Sequence, residues 1–238
     1  YDVRIENVTD QLAALGIAGP NARALLNELS GGAFDDFPFM TSKQVEIGRI
    51  RCKAIRISFS GELGWELHCP MPNQKALFDA LMAAGSKHGL TLLGGRAMGM
   101  LRLEKGYRSW GHEMTTEISP AAAGLERFCS TKKDYVGRAA VDAERAAPPP
   151  KRLMTFELAP AAPPCWGTEP ILKDGRLIGY VTSGGMGWRT DKMLAVAWVE
   201  SDAVAPGDAA EAQILLQTYR AEAVADPVYD PENAKLFG

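Results

Sequence analysis

The sequence predicts an α+β chain in which a mixed α/β domain is followed by a small antiparallel β-barrel. Three observations carry this. Strand-like and helical periodicities alternate over the first 146 residues; a stiff Ala-Ala-Pro-Pro-Pro stretch follows at 146–150; beyond it come only short apolar or alternating runs parted by Gly, Pro and Asp. The expected domains are therefore 1–146 and 147–238, with the first barrel strand opening at about Lys151.

Residues 12–18 (LAALGIA) form a continuous apolar run suited to a buried strand, and Gly19-Pro20 then opens NARALLNEL, whose apolar spacing is helical. Gly31-Gly32 stops that helix, and Phe34, Phe37 and Phe39 are expected to pack as a loop against the core. From 45 to 70 the residues alternate, which predicts antiparallel strands joined through a short turn at Gly61–Gly64. Helices are expected over 74–88, bounded by Pro72-Asn73 and Gly89, over 96–104, ending at Gly106, and over 135–146. In the second domain RLMTFEL, RLIGYVTS, MLAVAWVE and EAQILLQTY read as strands, and Gly184-Gly185-Met186-Gly187 as a barrel turn, since it lacks dinucleotide-loop spacing and no apolar helix follows.

Length and composition are those of a globular protein with a substantial core: 238 residues, 46% hydrophobic and 23% charged. A net charge of −3 supplies no basic field for a phosphate backbone, so nucleic acid is not an expected partner. No apolar stretch reaches membrane-spanning length, and the N-terminus lacks the basic-then-apolar pattern of a secretory signal, so no membrane partner is expected and the cytoplasm is the expected location. Cys52, Cys69, Cys129 and Cys165 form no C-x-x-C pair, and His68, His88 and His112 stand far apart, so neither a redox motif nor a metal site is expected. The chain opens at Tyr1 with a strand-like segment close behind and reads as a piece of something longer.

Two stretches concentrate chemistry. In FSGELGWELH a strand would point Trp65, Leu67 and Cys69 to one side and Glu66 and His68 to the other. A carboxylate's two acceptor oxygens match the two parallel N–H donors of an aminopyrimidine edge, and a neighbouring ring such as Phe59 could stack on a flat heterocycle. The plain alternative is a solvated Glu66 and a core Phe59. The second stretch, LRLEKGYRSWGHE, gathers polar groups around Tyr107 and Trp110 with Arg108 between them; the alternative is a salt-bridged helix end in which Glu104 pairs with Arg102 or Arg108.

Taken together, LAALGIAGPNARALL, FPFM, RISFSGELGWELHCP, GGRAMGMLRLEKGYRSWGHEMTTEISPAAAGLERF, KKDYVGRAA and the tail GYVTSGG…LAVAWV…DPVYDPENAK resemble the glycine-cleavage T-protein, or aminomethyltransferase, family, in the form fused to dimethylglycine and sarcosine dehydrogenases. The resemblance implies a tetrahydrofolate-binding α/β domain, here N-terminally truncated, followed by the barrel. It implies that Glu66 holds the pterin, that Phe59 lines the same pocket with a ring but no hydroxyl, and that Arg96, Tyr107, Arg108 and Trp110 contribute to folate binding. Where the free T-protein carries an Arg, this chain has Met98, two positions after Arg96. The family's catalytic Asp lies in an N-terminal portion outside this chain. FAD is implied only for an upstream domain, and the implied partners are folate, an amine-derived one-carbon donor, and either a fused flavin dehydrogenase or a homo-oligomer. The resemblance leaves open a non-catalytic folate-binding or structural module, and a tetrahydrofolate-dependent demethylase of another substrate.

Overall fold

Alternation in the first third of the chain builds a sheet with one apolar face. The computed structural model describes residues 2–238. Strand β1 (Leu12–Ala18) is followed by helix α1 (Ala22–Ser30), the strands β2 (Ser42–Ile47), β3 (Ile50–Ile55) and β4 (Gly64–Pro70), and helix α2 (Gln74–Gly85), which a short 3-10 turn extends to His88. The strands pair antiparallel in the order β1-β4-β3-β2. Ile17, Val45, Cys52, Ala54, Trp65 and Leu67 point to one face and pack with Leu25, Leu26, Leu77 and Leu81 of the helices, so the core lies between sheet and helices. Gly31 ends α1 in the left-handed conformation, its N–H donating to the carbonyl of Asn27. Phe34 and Phe37 are buried against Trp65, as expected, whereas Phe39 meets Phe237 edge-on.

Helix α3 (Gly95–Glu104) leads into irregular chain and helix α4 (Arg138–Ala146), which starts later than residue 135 because Gly137 is left-handed there. Strands β5 (Lys151–Leu158), β6 (Pro170–Lys173), β7 (Arg176–Gly187), β8 (Lys192–Glu200), β9 (Ala209–Ile214) and β10 (Gln217–Val224) close a six-stranded barrel in the order β10-β5-β8-β7-β6-β9. So narrow a barrel has room mainly for small side chains, and Ala195, Ala197, Ala212, Ala221 and Ala223 line it beside Phe156 and Ile171. The last helix, α5 (Ala234–Phe237), follows the barrel.

Two expectations are corrected, and one strand is added. EAQILLQTY is not one strand: Leu215 and Leu216 have φ of 49° and 65° and turn the chain between β9 and β10. Residues 184–187 are the end of β7, not a turn. The glycines there are closely overlaid: a Cβ on Gly185 would stand 2.2 Å from the Met100 sulfur, which would have to shift, and one on Gly187 2.9 Å from Glu104 Cγ. The strand β6 was not anticipated; it is only four residues long and begins with proline.

The packing forms two compact units, one running up to Gly94 and including Glu232–Gly238, the other Gly95–Pro231. This division falls earlier than the change of sequence character at 146. Its cause is strand β8, whose residues are apolar on both sides: Ala195, Ala197 and Val199 face the barrel interior, while Leu194, Val196 and Trp198 face outward under Leu103, Ala122 and Ala123. That outer cover is supplied by α3 and by the segment after it.

Candidate functional site

Strand geometry sends every second residue of β4 away from the core. Trp65, Leu67 and Cys69 are buried, and Glu66 and His68 stand partly exposed on the opposite face. Across the sheet Glu66 faces Gly16 on β1 and Ile55 on β3, while His68 faces Ala14 and Lys53. A Cβ added at Gly16 would meet nothing within 4 Å, and Ala14, Gly16 and Ala18 are all exposed. The carboxylate therefore borders a strip of small side chains with open space above it. Its side chain is 45% exposed, and Oε2 lies 3.1 Å from Nε2 of His68. The group stands at the edge of an open face, neither sealed in a cavity nor loose in solvent.

Phe59 sits in the loop between β3 and β4 and is 46% exposed, not a core residue. The loop is shaped locally: the Gly61 N–H donates to Ser58 Oγ and the Glu62 N–H to Ser60 Oγ. Behind the loop, the buried Arg56 guanidinium donates to the carbonyls of Phe37 and Phe237 and lies 5.6 Å from the Trp65 ring. Burial, with Arg23 nearby, lowers its pKa from the ordinary arginine value.

The other sequence-predicted residues belong to the second unit. The Arg96 guanidinium lies 4.6 Å from the ring of Trp166, and Trp110 is exposed. Tyr107 is partly buried; burial raises its phenol pKa, opposed by Arg127. Arg108 spends its donors inward, on the carbonyls of Ala123 and Gly106 and on the carboxylate of Asp226.

The pairing that the alternative reading gave Glu104 is replaced by another. Glu104, fully buried, accepts from the backbone N–H of Arg189 and Thr190, from Arg189 Nε and from Thr190 Oγ1, all within 3.0 Å. Arg102 instead pairs with Glu113 at 3.0 Å, and Lys105 with Asp230 at 3.0 Å. Glu113 also accepts from Thr182, Ser183 and the Ser109 N–H. Burial alone would raise its pKa, but Arg102 and these hydrogen bonds outweigh that and hold it below the ordinary carboxyl value. The sequence signal was LRLEK itself: charges at 102, 104 and 105 point around a helix end, so a helix packed on the barrel must bury some of them. A separate cavity of about 610 Å³, bordered by Arg127, Lys132 and Arg145, touches none of the predicted residues.

An α/β layer with an acidic group on its open face, followed in the chain by a closed antiparallel barrel, defines a two-part class of protein. The model described as GCVT N-terminal domain matches residues 1–133, and that described as Glycine cleavage T-protein C-terminal barrel domain matches 151–230. The chain belongs to the glycine cleavage T-protein family. It is 38% identical over 232 residues to human dimethylglycine dehydrogenase, mitochondrial, covering 96% of this chain and 27% of that protein. It is 35% identical over 242 residues to human sarcosine dehydrogenase, mitochondrial, covering 97% and 26%. With a probable aminomethyltransferase of Thermococcus kodakarensis it shares 31% identity over 259 residues, covering 99% and 65%. The chain thus spans about a quarter of the length of these dehydrogenases. Its fold matches the crystal structure of glycine cleavage system aminomethyltransferase T from Bartonella henselae with a TM-score of 0.81 at 22% identity, over 91% of this chain and 59% of that one.

Proposed function

We propose that this chain is the tetrahydrofolate-binding portion of a one-carbon-transfer protein, and that Glu66 holds the amino edge of the pterin. The observation that carries this reading is the Glu66 carboxylate beside the side-chain-free Gly16, on the flank where β1 presents only Ala14, Gly16 and Ala18. A flat heterocycle can approach that strip without displacing a side chain, and both carboxylate oxygens can accept from parallel N–H donors. These residues fit the group.

Reduced folate, when bound, would supply the amine that accepts the one-carbon unit. The chain's own residues bind and orient: Glu66 fixes the donor edge, and the exposed Phe59 ring offers a stacking face. Arg96, Tyr107 and Trp110 remain candidate folate contacts within their own unit, whereas Arg108, with its donors taken by Ala123, Gly106 and Asp226, is proposed to shape the loop that carries them. We assign no general base to this chain. The names of the relatives favour an amine-derived donor and a flavin dehydrogenase as the wider context, with FAD outside this chain. For location, the cytoplasm expected from the sequence stands beside the mitochondrial placement in those relatives' names. A reducing compartment suits four free cysteines.

Titration calorimetry with folinic acid tests the site. Wild type is expected to bind, and Glu66→Ala to lose roughly tenfold or more in affinity, the scale of a hydrogen-bonded charge lost from a binding face. Equal affinity in the two proteins removes the assignment.

A further inference from the structure

We propose that His68 is a positioning residue for Glu66, holding one carboxylate oxygen so that the remaining acceptor sites face Gly16 and a donor edge laid over it. The inference rests on the pterin reading of Glu66 and deepens it. Residues two apart on a strand point the same way, and His68 Nε2 lies 3.1 Å from Glu66 Oε2. A carboxylate oxygen at that distance accepts, so Nε2 is assigned the proton. The charged neighbour facing His68 from β3 is Lys53; β1 offers the uncharged Ala14, and Gln44 of β2 lies opposite Lys53.

The physical need for such a residue follows from exposure. A glutamate on an open strand face has three side-chain torsions to settle before it can present both oxygens to a ligand, and each frozen rotamer weakens binding. A histidine fixed two residues along the same strand settles them beforehand. Ile55 on the other flank is apolar, and its side chain offers no competing donor.

The test uses the full chain, folinic acid and four variants. His68→Leu, which keeps bulk and removes the donor, is expected to weaken binding about three- to tenfold, whereas His68→Gln, which restores an N–H at the reach of Nε2, is expected to return within about twofold of wild type. Long-range ¹H–¹⁵N spectra of the unliganded chain are expected to show His68 protonated at Nε2, with that signal moved in Glu66→Gln. Wild-type affinity in His68→Leu, or no recovery in His68→Gln, overturns the positioning role while a weakened Glu66→Ala leaves the pterin site standing. Wild-type affinity in Glu66→Ala, or no folinate binding at all, overturns both.

Discussion

The Arg102 guanidinium and the Glu113 carboxylate meet at 3.0 Å inside the second unit, with side chains only 9% and 1% exposed. Removing one member strands the other charge where water cannot reach it. Glu113→Ala is therefore expected to cost about 3 kcal/mol or more, read as a lowered denaturation midpoint by circular dichroism. Unchanged stability would mean that the pair adjusts freely, against the four acceptor contacts seen at Glu113.

The same carboxyl makes the fold sensitive to acid. Its folded pKa lies below the ordinary 4.5, so between the two values the unfolded chain binds more protons. The contribution is whole above pH 4.5 and drains as pH falls through the folded value. Melting curves from pH 6 to pH 3 should show a steeper acid loss in wild type than in Glu113→Gln; parallel curves would contradict the depressed pKa.

Leu215 and Leu216 form the tip of the β9–β10 hairpin, 82% and 95% exposed, both with positive φ. Branched side chains are disfavoured in that region, and Asn-Gly is the natural occupant of a two-residue hairpin turn. The double substitution Leu215→Asn, Leu216→Gly is expected to stabilise the barrel by roughly 1 kcal/mol. A drop in melting temperature would show instead that the leucines stabilise the turn.

Burial pushes the Cys52 thiol up to about 11, with Cys69 adding to it, and the Cys165 thiol to about 12, with Glu169 adding to it; Cys69 is also raised by burial. Thiolate is the reactive form, so these three should resist a disulfide reagent at pH 8. Cys129 is partly exposed and should react first. The expected count is one fast thiol in the native chain and four in denaturant, and three or four fast thiols would contradict the burial.

The alternation of β2 to β4 and the helical spacing of α1 to α3 were legible because each pattern reports a face turned to the core. What escaped was set by distant partners. Glu104 meets Arg189 from 85 positions away, and no local spacing announces it. The glycines at 184–187 look like a turn until α3 is seen to need the space above them. EAQILLQTY concealed a hairpin because leucines are not turn residues. At the candidate site, the orientation of Glu66 followed from strand period alone, whereas the open strip beside it depended on pairing with Gly16, 50 positions earlier, which only the fold reveals.

A titration of isotopically labelled chain with folinic acid, followed by backbone amide shifts, locates the ligand most directly. The largest changes should fall on Gly16, Ile55, Glu66 and His68 and vanish in Glu66→Ala. Changes confined to other strands or to the loop at 126–132, with these four residues still, would contradict the assignment of Glu66.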